Sequence, residues 1–337
     1  MSYTLGILDQ SPIIEDATNE QALQNTVALT QKAEQLGYSR FWVSEHHNTD
    51  TLAGTSPEVL VSYLLAKTKT INIGSGGVML QHYSPFKVAE NFHVLASLEP
   101  GRVDLGIGKA PGGLPLSTKA LQYGTINKGE DFEQRLTFLQ HLLEDAVPVE
   151  HALHGVQATP IPKVKPSLFL LGASPQSATL AGKLGISFVF ARFINSDLEV
   201  LKEASEAYRT HHPKGHFAIS IAALAAPTKE EAQDLVGDQK ITKVHLASGR
   251  SLTLNSVELA EKFGQESGET FTVQQYDADI LYGTPEDIKE KLDVYHTQYQ
   301  IDEFILHTPV LKAVERERSF ELLSPVNLHL QQKETVR

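Results

Sequence analysis

Two apolar segments that each run into glycine, separated by one helix length of amphipathic sequence, constrain this chain more than any other feature. Residues 71–77 (INIGSGG) carry Ile71 and Ile73 before the run Gly74, Ser75, Gly76, Gly77, and residues 103–108 (VDLGIG) alternate Val103, Leu105 and Ile107 with Gly106 and Gly108. Between them, Val88, Phe92, Leu95 and Leu98 recur at helical spacing within residues 84–98, which predicts a helix with one buried face. A strand, a crossover helix and a second strand permit parallel pairing. Glycine at a strand end lets the backbone turn sharply or lets something flat approach it. Two neighbouring ends of this kind predict a binding floor.

The same alternation runs along the chain. Strands are predicted over residues 4–8, 40–44, 167–171, 186–191, 217–225 and 302–307, and helices over 20–36, 57–67, 130–143, 175–184, 197–208, 284–299 and 311–330. Gly37 stops the first helix, and Pro57 opens the second behind Thr55 or Ser56 as cap. Residues 112–124 read as a loop rich in Gly and Pro, and residues 147–166, with four prolines, as an irregular surface crossing. Eight strands alternating with helices is the count of a (β/α)8 or TIM barrel. A doubly wound sheet, the second choice, needs only about five or six strands and a reversal of strand order. One barrel domain over residues 1–337 accounts for the whole chain. Its rhythm breaks at residues 229–282, which are too long for one crossover. They read as helical and loop segments inserted before the last strand and helix, and their length makes them the expected lid.

Composition removes several chemistries. The absence of cysteine excludes disulfides, zinc–thiolate sites, iron–sulfur clusters and a cysteine nucleophile. The net charge is −12, from 29 Lys plus Arg against 41 Asp plus Glu, with no dense basic cluster, so nucleic acid and anionic membrane are poor partners. The first residues show no basic region followed by an apolar run, and no segment reaches the ~18 uncharged apolar residues that would span a bilayer. A cytoplasmic protein is expected.

Barrel enzymes build their sites from the residues after each strand, and here that set is polar and rich in glycine. Glu45, His46 and His47 follow the second strand. Adjacent strand residues point to opposite faces, so the two imidazoles rarely reach one metal ion, and a metal-dependent hydrolase centred on His46 is the weakest reading. One imidazole is expected to serve as acid or base over the barrel mouth and the other to bond the frame, with Glu45 orienting one of them. The segment GIGKAPGG suggests a dinucleotide loop, but its third glycine has the wrong offset and Pro111 lies where a helix should open. GASPQSATLAG fits an anion better: Ser174 and Ser177 stand at the positive end of a helix that begins at Pro175, and Lys109 lies on the neighbouring strand end. Simple capping by Ser174 is the alternative.

Taken in order from Tyr3 to about Val310, FWVSEHHN, IGSGGVMLQHYSPFKVAE, EPGRVDLGIGKAPG, LGASPQSATLAGKLG, GTPEDIKEKL and DEFILHTP resemble the bacterial luciferase-like flavin monooxygenases, and most of all the luciferase alpha-subunit group. The resemblance implies a barrel that takes reduced FMN from a separate NAD(P)H-dependent reductase and uses O2 to oxidise a small organic substrate through a C4a-hydroperoxyflavin. It implies that Ser75, Gly76 and Gly77 lie at the isoalloxazine, at a place where the family often has a non-proline cis peptide. It also makes His46 the imidazole of the oxygen chemistry, and Lys109, Ala110, Ala173, Ser174 and Ser177 the phosphate-binding set. A homodimer through helices near the start of the chain follows from the same resemblance. Lys109 stands where the family usually has arginine, which keeps the charge but loses the bidentate fork. Gly108 stands where luciferase has cysteine, and Arg192 where close relatives often carry histidine. F420-dependent hydride transfer and non-catalytic flavin binding are the alternatives on the same barrel.

Overall fold

The computed structural model describes residues 3–14, 17–127, 129–249, 251–254, 256–310 and 312–328. Seven strands come first: β1 (Thr4–Asp9), β2 (Arg40–Val43), β3 (Asn72–Met79), β4 (Val103–Gly108), β5 (Ser167–Gly172), β6 (Ser187–Ala191) and β7 (Phe217–Ala225). Each pairs in parallel with its successor. Between them run α1 (Asn19–Gln35), α2 (Pro57–Lys67), α3 (Pro85–Leu98), α4 (Pro115–Leu121), α5 (Phe132–Leu143), α6 (Pro175–Leu184) and α7 (Leu198–His211). The insertion then supplies α8 (Lys229–Val236), β8 (Lys240–Leu246), β9 (Ser251–Leu254), α9 (Val257–Ser267), β10 (Phe271–Asp277) and β11 (Ile280–Gly283). After α10 (Pro285–Tyr299), β12 (Glu303–His307) pairs in parallel with both β7 and β1, and α11 (Ala313–Leu322) follows. These pairings close eight strands into a (β/α)8 barrel.

Strand parity builds two layers. Outward residues such as Ile7, Phe41, Ile73, Leu105, Phe188, Phe190 and Phe304 join the helices in the main core. Inward, Leu8, Trp42, Phe169, Val189, Ala218 and Ile305 fill the barrel. Glycine makes room for two charged inward residues: a Cβ at Gly6 would lie 2.7 Å from Arg40 Cγ, and one at Gly74 would lie 2.6 Å from Asp104 Cβ. Arg40 donates to Glu303 Oε2 at 2.8 Å and to Asp104 Oδ2 at 2.5 Å, and Trp42 Nε1 donates to the same Asp104 oxygen at 2.9 Å. Arg40 and Glu303 begin their strands, so this buried network closes the N-terminal end of the barrel. The opposite end remains for a site.

Local signals place the helices. Thr284 and Asp287 form a reciprocal capping box at the start of α10, and Gly185 takes the left-handed conformation that ends α6. Two expectations need correction. Residues 229–282 contain an antiparallel sheet, ordered β10-β8-β9, where the sequence reads helix and loop. Val244, Leu246, Leu252, Leu254, Phe271 and Val273 pack against Ala260 and Phe263 of α9. The other face of that sheet is polar, and this dilutes the strand pattern. β11 then returns the chain to the barrel beside the end of β7, with Ile280 opposite Ala222 and Gly283 opposite Ala225. The second correction is α4, which occupies residues read as loop: Pro115 opens it at a first-turn position that needs no backbone donor. α4 packs against α9, so the insertion reaches the C-terminal side of the barrel. Within the helix predicted over 311–330, residues 311, 329 and 330 lie outside the described residues.

Candidate active site at the barrel mouth

The glycine run does not end β3; the strand continues to Met79. Ser75 lies opposite Leu105 while Val78 lies opposite Ile107, so Gly76 and Gly77 together face Gly106 in a bulge. The Gly76–Gly77 peptide is cis. Ser75 is fully buried, and its hydroxyl donates to the Gly106 carbonyl at 2.9 Å and accepts from the Gly106 N–H at 3.1 Å. It thereby pairs two backbone groups that the bulge removes from the ladder. The Ser75 side chain is used up by the frame. A Cβ at Gly77 would fall 2.7 Å from the Gly106 carbonyl oxygen, and one at Gly76 would fall 2.8 Å from Leu8 Cδ1 and 3.1 Å from Trp42 Cε3. Leu8 and Trp42 therefore close directly on the Gly76 backbone, which stays partly open. The result is a flat floor.

After β2, the three ionisable residues divide as strand parity requires. Glu45 is fully buried and accepts from the Tyr83 hydroxyl at 2.7 Å and from the Met79 N–H at 3.0 Å, while its Oε1 lies 2.7 Å from His47 Nε2. His47 belongs to the frame, and its N–H donates to the Gly112 carbonyl. His46 differs: its Nδ1 lies 3.1 Å from Ser44 Oγ, and Nε2 has no partner among the described residues. Burial pushes His46 down to about 4, with nearby His47 adding to the effect and Glu45 opposing it. The imidazole is neutral at physiological pH.

The anion set lies at the ends of β4 and β5, two paired strands. Lys109 and Ala110 are exposed. Lys109 Nζ sits 5.8 Å from the centre of the Phe132 ring and has no carboxylate partner among the described residues. Ser174 caps α6, accepting from the Ser177 N–H at 3.3 Å, and the two hydroxyl oxygens are 3.2 Å apart. The Ala173 carbonyl accepts from Asn195 Nδ2 at 3.1 Å, which ties this loop to the one after β6. Gly172 has no room for a side chain, since a Cβ there would meet Ser177 Cβ at 2.4 Å. The first turn of α6 is thus pressed against the strand end.

Two residues of the rim depart from the sequence reading. Arg192 follows Val189 and Ala191, which face inward, so its own side chain turns out into the helix layer. There it pairs with Asp279, just before β11, and lies 5.2 Å over the Tyr295 ring. It anchors the returning insertion and leaves the mouth to others. His307, given no role by the sequence, ends β12 on the inward side, 5.7 Å from the Phe193 ring. Burial brings it down to about 4, and Arg316 reinforces that shift. Beneath the floor, the Arg40, Asp104 and Glu303 network was also unread; charged residues at alternating strand positions were its signal. Gly108 faces Met79, whose Sδ would lie 3.2 Å from an added Cβ.

A barrel of this kind is shared with known monooxygenases. Residues 4–299 match the family of luciferase-like monooxygenases, to which the chain belongs. The N-acetyl-S-alkylcysteine monooxygenase of Bacillus subtilis (strain 168) is 47% identical over 95% of this chain and 97% of its own. The solved structure of apo-MsnO8 superposes with a TM-score of 0.78 at 29% identity, covering 97% of this chain and 98% of that one. The oxygenating constituent of 3,6-diketocamphane monooxygenase from the CAM plasmid of Pseudomonas putida, solved in complex with FMN, superposes with a TM-score of 0.67 at 18% identity, covering 96% and 97%. That last likeness is one of fold.

Proposed function

We propose that this chain is an FMN-dependent monooxygenase that takes reduced FMN from a separate NAD(P)H-dependent reductase and oxidises a small thioether of the S-alkylated N-acylcysteine class. The observation that carries the reading is that the neutral His46, the Gly76 backbone, Lys109 and the Ser174–Ser177 pair come from four successive paired strands, β2 to β5, on the same side of the barrel. The residues present fit the cofactor. Lys109 offers an ammonium without a carboxylate partner among the described residues, Ser174 and Ser177 offer hydroxyls, and the first turn of α6 offers backbone N–H groups to a phosphate. The flat Gly76 backbone over Trp42 suits a planar ring. The substrate class is supported by the 47% identity to the N-acetyl-S-alkylcysteine monooxygenase.

When bound in its reduced form, FMN would supply the two electrons that let O2 give one oxygen atom to substrate and leave the other as water. His46 would exchange a proton through Nε2, because Ser44 holds Nδ1. The insertion would cover the mouth from the α9 side and exclude water. Val59 and Tyr63 on α2, and Val94 and Leu98 on α3, are exposed pairs one helical turn apart and would form the face of a homodimer. No helix among the described residues is long and apolar enough to cross a membrane.

The test begins with anaerobic absorbance titrations of the purified protein with FMN, reduced FMN and F420. Turnover of N-acetyl-S-benzylcysteine is then followed under 18O2 with a flavin reductase and NADH. Reduced FMN should bind, and one labelled oxygen should enter the organic product. Binding of F420 in place of reduced FMN, or a product without label, would overturn the reading.

A further inference from the structure

The short turn Leu80–His82 that follows β3 carries an amide that the frame does not use. Gln81 is only 9% exposed. Its side chain makes no hydrogen bond among the described residues, yet its polar atoms are not shut off from water. The residues beside it are committed: Leu80 is fully buried in the main core, and His82 has Nε2 2.8 Å from the Pro111 carbonyl and Nδ1 3.1 Å from Gln122 Nε2. Gln122 Oε1 in turn accepts from the Asn127 N–H at 2.9 Å, and Asn127 Oδ1 accepts from the Gly129 N–H at 2.6 Å. This chain of bonds ties Gly129 to the turn that carries Gln81. A Cβ at Gly129 would lie 2.9 Å from Gln81 Oε1 and 3.8 Å from Lys109 Cε, so the space that the glycine leaves is bordered by the amide on one side and by the lysine stem on the other. Lys109 has no carboxylate partner among the described residues, and Gln81 has no partner of any kind there. An amide so deeply buried and unpaired is uncommon. A primary amide carries two N–H donors, and with no bond to hold its plane it can turn them toward a ligand. Beside an unpaired ammonium, the ligand those donors suit is an anion.

We propose that Gln81 is a further phosphate-binding residue: its amide N–H donates to a phosphate oxygen that Lys109 attracts. It thereby supplies the second donor that a single ammonium, unlike the fork of an arginine, does not offer. This rests on the FMN reading above. The test is an anaerobic titration of the purified protein with reduced FMN and with reduced riboflavin, which lacks the phosphate. Gln81→Leu keeps the size of the side chain and removes its donors; it should weaken reduced FMN about tenfold and leave reduced riboflavin unchanged. Gln81→Glu, which sets a carboxylate against the phosphate, should weaken reduced FMN further, about a hundredfold, again with riboflavin unchanged. A second readout needs no flavin and no variant that binds: the 15N-labelled side-chain amide of Gln81, assigned by its absence in Gln81→Leu, should shift in the wild type when inorganic phosphate is added and stay in place with the same concentration of chloride. Equal losses for the two flavins, an unchanged affinity of Gln81→Glu for reduced FMN, or an amide signal unmoved by saturating FMN would each overturn the proposal. A wild type that prefers reduced FMN to reduced riboflavin, with that preference intact in Gln81→Leu, strikes at Gln81 alone. A wild type that binds no reduced FMN overturns the proposed function and this inference with it.

Discussion

Acidification should destabilise this protein well above the range where carboxylates titrate, because two imidazoles are folded in their neutral form. His46 and His307 are each brought from 6.5 to about 4, in both cases chiefly by burial. Between those values the unfolded chain binds protons that the folded chain refuses, so stability is full above pH 6.5 and falls as the pH drops toward 4. At pH 5 the linkage relation gives about 2 kcal/mol for each imidazole. Both rings are partly open to the mouth, and solvent screening reduces the pair to roughly 3 kcal/mol, a large share of the ~5–15 kcal/mol typical of a folded protein. The lowered His82 acts in the same direction. Glu34 and Glu303 do not interfere. Burial opposes their ionisation, yet backbone N–H groups of residues 69–71 around Glu34, and His216 with Arg40 around Glu303, hold both at about 2. Their contributions are lost only as the pH falls below about 4.5. Trp42, the only tryptophan and fully buried, reports unfolding in urea. The wild type should lose roughly 3 kcal/mol more than a His46→Asn, His307→Asn double variant between pH 7.5 and 5. Parallel curves for the two proteins across that range would refute the assignment of neutral, buried imidazoles.

Three further outcomes are expected. Ser75→Ala removes both bonds to Gly106 and should cost about 2 kcal/mol, read as a lower urea midpoint; an unchanged midpoint would show that the bulge does not depend on the hydroxyl. Lys109→Ala should weaken FMN binding about tenfold or more and leave riboflavin, which lacks the phosphate, unaffected. Equal losses for the two flavins would remove Lys109 from the phosphate. His46→Ala should retain FMN affinity while turnover falls about a hundredfold or more. Oxygenation coupled to NADH consumption as efficiently as in the wild type would deny it a proton-transfer role.

Much of the scaffold is legible in the chain because it is written in short-range patterns. Apolar alternation over 71–75 and 103–107, helical spacing over 84–98 and the repetition of that unit specify parallel strands under helices, and eight strands close most readily as a barrel. The start of α6 is legible for the same reason. A strand that ends at Gly172, a serine cap and Pro175 determine a helix N-terminus whatever surrounds it. The insertion was harder, since β8 and β10 bury only one face against α9 and their polar alternation resembles loop.

What only the tertiary structure decides is the direction and surroundings of each side chain. The sequence by itself marks Gly76 and Gly77 as a place of close approach; that Ser75 is consumed by Gly106, and that Trp42 closes from below, follows from the register shift between β3 and β4. It marks Glu45, His46 and His47 as a cluster, but Tyr83 and Met79 commit Glu45 to the frame, and burial makes His46 neutral. Arg192 and His307 show the same limit in opposite directions. Arg192 stands just beyond β6 and His307 is the last residue of β12, yet parity and packing turn Arg192 out to Asp279 and leave His307 on the inward side. Backbone pattern is a local property of the chain, whereas hydrogen-bond satisfaction and protonation depend on neighbours hundreds of residues away.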